Sequence, residues 1–180
     1  MQELKDRIVK EGKVLPGNII KVDGFLNHRV DTELLEHIAD EFGRRFDMSK
    51  VTVILTAEAS GIALATVVAH RFGKPMIFAK KAKSDNIEGG LYQSDIFSYT
   101  YKKKVTLLVS KEWLHESDRV LIIDDFMANG EAMRGLCDIV TAAGAELVGI
   151  GCAVEKGFQG GGDRLRAAGY DLQSLAIIES

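Results

Sequence analysis

Strand-length runs of apolar residues recur along the chain, and segments with a helical apolar period separate them. Three such runs are VTVILT (51–56), VLII (120–123) and ELVGIGCAVE (146–155). Runs that are apolar throughout, without the alternation of a half-exposed strand, are typical of parallel strands buried on both faces. The sequence therefore predicts an α/β fold in which helices flank a central, mostly parallel sheet.

The other elements follow from the same patterns and from the glycine positions. Helices are predicted around 4–9, 31–46, 61–72 and 130–143, and after the glycine-rich turn near 160; further strands are predicted at 75–80 and 172–178. Asp31 is placed to cap the second helix, and Gly73 to end the third. Residues 18–28 are expected to be extended or irregular, with a break at Gly24.

The polar segment 80–95 has no helical period and contains a Gly-Gly pair, which predicts a long loop. The runs IFSYTY (96–101) and KVTLLVS (104–110) then predict two strands. Together these features indicate a hairpin beside the loop.

Length and composition narrow the class of protein. The 180 residues suit one domain, and 23 basic against 26 acidic side chains leave a net charge of −3. This balance gives no reason to expect a nucleic acid or a membrane as partner. The polar, amphipathic start and the lack of an apolar run of about 20 residues favour a cytoplasmic protein. Cys137 and Cys152 lie in apolar runs and are expected to be buried thiols.

The stretch from Asp124 into the next helix predicts an anion site. A tight strand-to-helix turn directs several backbone N–H groups at one point, and the helix adds the positive end of its dipole. Asp124 and Asp125 beside such a site could accept hydrogen bonds from sugar hydroxyls or hold a divalent cation through water. A phosphorylated sugar offers both partners, although two aspartates here could also be only a solvated helix cap.

The segment VLIIDDFMANGEA (120–132) resembles the phosphoribosyl pyrophosphate signature of the type I phosphoribosyltransferases. That signature has four apolar residues, two acids, an apolar residue and a short turn that ends in Thr-Gly, with a hydroxyl residue soon after. Asn129 stands where threonine is usual, and Ala132 where serine or threonine is usual. Because backbone amides form most of a phosphate cradle, these departures weaken side-chain contacts more than the cradle itself.

The resemblance implies the type I phosphoribosyltransferase fold. One domain would cover 1–180, with a small hood from about 1–30 and 153–180 and a mobile lid hairpin whose loop spans about 80–105. Such a lid would exclude water from a cationic sugar intermediate. The implied cofactor is Mg²⁺, held mainly by the substrate and water, and a homodimer is the implied assembly.

The site residues implied by the resemblance fall into three groups around phosphoribosyl pyrophosphate. Asp124 and Asp125 would be the catalytic pair that holds the ribose hydroxyls. The phosphate loop would consist of Ala128, Asn129, Gly130, Glu131 and Ala132. The pyrophosphate group would be bound by Ala59, Ser60, Gly61, Lys80 and Lys81, with Lys83 nearby.

The acceptor base is implied by a closer resemblance. FLNHRVD (25–31), DDFMANGEA (124–132) and EKGFQGG (155–161) are similar to the branch of the family that acts on xanthine. The positions that bind the base in that branch are here Ile20, Asn27 and Lys156. Xanthine presents two ring carbonyls, which suit an ammonium and a carboxamide. Taken alone, however, the lysine could be an ordinary strand-end residue and the asparagine a turn residue.

Ala128 is informative because hypoxanthine-guanine enzymes carry a carboxylate two positions before the loop glycine. The expected function is therefore purine salvage: xanthine and 5-phosphoribosyl 1-pyrophosphate would give xanthosine 5′-monophosphate and pyrophosphate. Adenine or hypoxanthine-guanine phosphoribosyltransferases are the alternatives among enzymes. A non-catalytic regulator that senses phosphoribosyl pyrophosphate is a further alternative, disfavoured by the net charge and the lack of room for a DNA-binding module.

Overall fold

The computed structural model describes residues 1–15, 19–81, 90–98 and 103–179. The helices are α1 (Gln2–Glu11), α2 (Thr32–Arg45), α3 (Gly61–Phe72), α4 (Glu131–Ala142) and α5 (Gly161–Ala167). The strands are β1 (Lys13–Leu15), β2 (Ile19–Lys21), β3 (Val53–Ala57), β4 (Met76–Ala79), β5 (Leu91–Ser98), β6 (Lys103–Ser110), β7 (Arg119–Met127), β8 (Glu146–Lys156) and β9 (Leu172–Ile178). A π-helical turn spans Asp23–Asn27, and a 3₁₀ turn spans Gly157–Gln159.

Within the described residues, five parallel strands form the central sheet in the order β4–β3–β7–β8–β9. The chain adds β4 on one side of β3 and later returns to add β7 on the other side. The order therefore reverses between β3 and β7, where a crevice forms at the carboxyl ends of the strands. The predicted α/β fold with a parallel sheet between helices is confirmed.

Both faces of the sheet are covered, which explains the continuous apolar runs. Leu121 and Ile123 pack into one hydrophobic cluster with α1, α2 and α3, while Val120 and Ile122 pack into a second cluster with α4 and α5. Alternate residues of a strand face opposite sides, so a strand covered on both sides needs an apolar residue at each position. The two cysteines are buried and free, as predicted.

The helix boundaries agree closely with the sequence patterns. Asp31 caps α2, because its Oδ1 accepts a hydrogen bond from the Leu34 N–H at 3.2 Å. Gly73 ends α3 in the left-handed conformation, with φ of +62°. No helix within the described residues has the length and apolar character needed to cross a membrane.

The strands β5 and β6 form the predicted antiparallel hairpin, which packs against α4. Gly135 lies at this contact, and a Cβ there would be 2.6 Å from Ile96 Cγ2 and 3.0 Å from Leu107 Cδ1. The hydroxyl of Ser94 also donates to the Asp138 carboxylate at 2.8 Å. The hairpin is thus fixed to the helix that begins at the predicted phosphate loop.

Three local predictions are wrong in their boundaries. The strand that was expected to end before Asp124 continues to Met127, because β7 pairs with β8 as far as Met127 and Glu155. The predicted loop over 80–95 already contains the start of β5 at Leu91, because its residues pair with β6. Residues 23–27, expected to be extended or irregular, form a helical turn.

Candidate active site

A cavity of about 260 Å³ lies at the carboxyl ends of β3 and β7. This is where the reversal of strand order predicts a ligand crevice. Its walls come from β3 and the turn after it, from β7 and the loop into α4, and from the hairpin. The lining residues are Ala57, Glu58, Ser60, Lys81, Ile96, Phe97, Val105 and the continuous stretch 124–133.

Asp125 is buried at this edge, with 1% of its surface exposed, and both of its carboxylate oxygens accept hydrogen bonds. Ser60 Oγ donates to Oδ1 at 2.9 Å, and Asn27 Nδ2 donates to Oδ2 at 3.2 Å. The serine precedes α3, while the asparagine ends the π-helical turn near the N-terminus. Asp125 thus joins three parts of the chain that lie far apart in sequence.

Asp124 carries a strongly perturbed carboxyl group. Burial raises its pKa well above the ordinary value of 3.8, and the neighbouring charge of Asp125 raises it further. Its Oδ1 accepts a hydrogen bond from the Asp125 N–H at 3.1 Å. Two adjacent buried carboxylates are stabilised by hydroxyl donors or by a cation, so the pair suits a sugar with a bound divalent ion.

Gly61 is required by the packing around Asp124. A Cβ at this position would overlap both Asp124 Oδ1 and Thr56 Oγ1. The Thr56 hydroxyl is buried and has no hydrogen-bond partner within the described residues. The start of α3 can therefore approach the aspartate only because residue 61 is glycine.

The predicted phosphate loop lies directly between β7 and α4. Gly130 caps the helix in the left-handed conformation, with φ of +76°, which a residue with a Cβ adopts only with strain. The stretch 128–132 lines the cavity. The Glu131 carboxylate has partners within the protein: its Oε2 accepts hydrogen bonds from Arg134 Nη2 at 3.2 Å and from the Phe97 N–H at 3.5 Å.

The residues predicted to bind pyrophosphate are only partly brought together. Ser60 and Lys81 line the cavity, and the N–H of Lys81 donates to the Glu58 carboxylate. Lys80 pairs through its backbone with Leu108 of the hairpin. Ala59 precedes Ser60, and its peptide bond with Glu58 is cis. Lys83 lies outside the described residues, as do the rest of 82–89 and residues 99–102.

Two of the residues predicted to bind the base contact residues that line the cavity, and they come from opposite ends of the chain. Asn27 reaches Asp125, and Lys156 Nζ lies 5.2 Å from the centre of the Phe126 ring. Partial burial lowers the pKa of Lys156. Ile20 is in β2, opposite Val14 of β1, but its side chain is outside the described part of the structure.

Sequence reasoning missed a buried ion pair behind the site. Glu155 is 1% exposed, and Arg166 donates to its two carboxylate oxygens at 3.1 and 2.6 Å. The hydroxyl of Ser174 donates to the same carboxylate. The available signal was an acid at the end of an apolar strand, since a buried carboxylate requires a partner.

Comparisons with known proteins agree with this geometry. Residues 29–170 match the family model described as "Phosphoribosyl transferase domain". A xanthine phosphoribosyltransferase of Bifidobacterium adolescentis is 53% identical, and the alignment covers 100% of this chain and 94% of the relative. One of Lachnoclostridium phytofermentans is 55% identical, with coverage of 100% and 93%. The solved APRTase from Giardia lamblia, complexed with 9-deazaadenine, has a TM-score of 0.83 at 20% identity and 98% coverage of both chains, which shows the shared fold.

Proposed function

The chain belongs to the phosphoribosyl transferase domain family, and on this premise we propose that it is a xanthine phosphoribosyltransferase. The reaction joins xanthine to the anomeric carbon of 5-phosphoribosyl 1-pyrophosphate and yields xanthosine 5′-monophosphate and pyrophosphate. One observation carries the proposal: the aspartate pair and the loop before α4 line a single cavity, and the Asn27 amide donates a hydrogen bond to Asp125 of that pair. Close full-length relatives that carry this name support the choice of base.

On the donor side, the backbone amides of 128–132 bind the 5′-phosphate, aided by the positive end of the α4 dipole. Asp124 and Asp125 accept hydrogen bonds from the ribose hydroxyls. Ser60, Lys81 and the start of α3 bind the pyrophosphate. These groups form no covalent bond to the sugar, so they act by positioning and by stabilising charge.

Magnesium fits the donor side, because two adjacent buried carboxylates, one with a raised pKa, are stabilised by a divalent cation. Asp124 and Asp125 would hold it through water, while the substrate supplies its remaining oxygens. When bound, the ion neutralises charge that develops on the departing pyrophosphate. The protein's own contribution is to keep both carboxylates at the edge of the sheet.

On the acceptor side, Lys156 donates hydrogen bonds to a xanthine carbonyl and attracts the ionised base. Asn27 donates and accepts on another edge of the ring, and Ile20 adds an apolar contact. Ala128 leaves the loop without a carboxylate where hypoxanthine-guanine enzymes have one. Xanthine loses a proton near neutral pH by itself. It therefore does not need a loop carboxylate to accept that proton.

The pH dependence of turnover tests whether the ionisation of xanthine takes part in the reaction. Turnover with xanthine is expected to fall as the pH drops through the ionisation of xanthine itself, measured with saturating phosphoribosyl pyrophosphate and magnesium. A profile that is flat across this range would contradict the role.

The hood, lid and assembly are part of the same proposal. Residues of about 1–30 and 153–180 form the hood over the base, and the lid loop spans about 80–105, beside the part of the hairpin that is fixed to α4. The active protein is a cytoplasmic homodimer, and neither nucleic acid nor membrane is a partner.

A competition assay tests the function directly. The protein is incubated with magnesium and phosphoribosyl pyrophosphate, and with xanthine, guanine, hypoxanthine and adenine together, and the nucleotides are separated. Xanthosine 5′-monophosphate is the expected main product. A preference for another base would overturn the acceptor assignment, and sugar binding without turnover of any base would indicate a regulator.

A further inference from the structure

The helix α5 packs against the backbone of the predicted phosphate loop. Gly161, its first residue, is so close that a Cβ would overlap the carbonyl oxygen of Ala128 and lie 2.7 Å from the Gly130 nitrogen. A Cβ at Gly130 would in turn lie 3.3 Å from Gly161 Cα. Two glycine backbones are therefore in direct contact, and neither position has room for a side chain.

Arg164 adds a directed contact one turn later. Its Nη2 donates a hydrogen bond to the Asn129 carbonyl oxygen at 3.0 Å. In a planar trans peptide, the carbonyl and the following N–H point in opposite directions. Since the Asn129 carbonyl faces α5, the N–H of Gly130 faces away from it, on the side of the loop where an anion would be bound.

The helix α5 is itself fixed to the strand that carries the lysine of the base site. The buried Glu155 carboxylate, next to Lys156, accepts two hydrogen bonds from Arg166 of α5. Gly162 allows this approach, because a Cβ there would overlap Glu155 Oε1. A lone carboxylate at this depth would be costly, so the ion pair holds α5 in one position.

We propose that Arg164 is a positioning residue for the 5′-phosphate site. It holds the Asn129 carbonyl towards α5 and thereby keeps the Gly130 N–H directed at the phosphate. The ion pair of Glu155 with Arg166 fixes α5 to β8, and Arg164 fixes α5 to the loop. The helix α5 therefore connects the strand that carries Lys156 to the phosphate loop. The inference rests on the proposed function, because it assumes that the loop binds a sugar phosphate.

Binding measurements on Arg164→Ala test the inference. Calorimetry with ribose 5-phosphate is expected to show affinity roughly three- to tenfold weaker, the range of one net hydrogen bond. The affinity for pyrophosphate, bound at the start of α3, is expected to be unchanged. Arg164→Lys keeps a donor and restores part of the loss. The matched control is Arg44→Ala, which removes a surface arginine paired with Glu41 and leaves both affinities unchanged.

Hydrogen exchange of the ligand-free protein separates positioning from direct phosphate contact. Faster exchange of the 128–130 amides in Arg164→Ala, with an unchanged melting temperature, supports positioning. Unchanged exchange, or an equal loss of pyrophosphate affinity, overturns it. If wild-type protein turns over xanthine but Arg164→Ala has wild-type affinity for both ribose 5-phosphate and pyrophosphate, only this inference fails. If wild-type protein binds no ribose 5-phosphate, the proposed function fails first.

Discussion

The donor side and the acceptor side of the cavity are built in different ways. The ribose and phosphate part of the proposed donor side is one continuous stretch, since 124–132 supplies the aspartates and the loop before α4, while Ser60 and Lys81 come from elsewhere in the chain. The proposed acceptor side consists of Asn27, near the N-terminus, which contacts Asp125, and Lys156 at the end of β8, which contacts Phe126. A continuous stretch on a central strand is held by the sheet itself, whereas a site made of distant segments depends on how those segments pack.

The two sides meet at Asp125. Its carboxylate accepts one hydrogen bond from Asn27 of the acceptor side and one from Ser60 of the donor side. When ribose hydroxyls bind this carboxylate, they compete with the asparagine for the same acceptor. The comparison therefore predicts different kinetic effects for residues on each side and a mixed effect for Asn27.

Asp125→Ala should have the largest effect, because it removes the buried carboxylate that we propose to hold the ribose hydroxyls. We expect kcat to fall about 100-fold or more, the range found when one preorganised stabilising group is lost. Steady-state assays measure the fall, and circular dichroism checks the fold. Asp6→Ala, on exposed α1, is the control and should keep full activity. Near wild-type turnover of Asp125→Ala would refute the catalytic role.

Lys156→Ala should act on the acceptor side alone. We expect KM for xanthine to rise about 10- to 100-fold, since a charged hydrogen-bond donor to the base is lost, while KM for phosphoribosyl pyrophosphate stays within about twofold. Lys50→Ala, at an exposed lysine, is the matched control. An equal rise in both KM values would show that the two sides are not independent.

Asn27→Ala should affect both sides, because the carboxamide contacts Asp125 as well as the proposed base position. We expect each KM to change by roughly three- to tenfold. Asn27→Asp should be worse, since it brings a third carboxylate to Asp124 and Asp125. A change confined to KM for xanthine would mean that the contact with Asp125 has no functional consequence.

Asp124→Asn should have the smallest effect in free energy. The variant should lose activity but gain stability. The native pKa of Asp124 is raised, so the folded state binds this proton more tightly than the unfolded state does. The free energy of unfolding therefore falls as the pH rises from 3.8 through the raised pKa of Asp124. The full loss of stability is present at pH values above that raised pKa.

The variant removes that loss of stability, so the free energy of unfolding in urea at pH 7, without ligand, should be higher than that of the wild type. The gain should shrink as the pH is lowered towards 4, while turnover is reduced at every pH. Asp6→Ala again serves as the control. Lower stability of Asp124→Asn at pH 7 would contradict the raised pKa.

Much of the fold was predictable because it depends on local patterns. The apolar runs predicted the parallel strands, Asp31 predicted a cap, and Gly73 predicted a helix end, all of which the structure contains. Boundaries that depend on a partner strand were not predictable. The continuation of β7 to Met127 is decided by its pairing with β8.

The sequence alone determined that the aspartates and the loop before α4 lie together, because they follow one another and their geometry is set by one strand and one turn. Only the tertiary structure brought Asn27 to Asp125 and Lys156 to Phe126, and only it placed α5 against the loop at Gly161. These contacts join residues that lie far apart in the sequence, so neither local hydrogen bonds nor hydrophobic periodicity could predict them. Packing of the helices and strands around the sheet decides them.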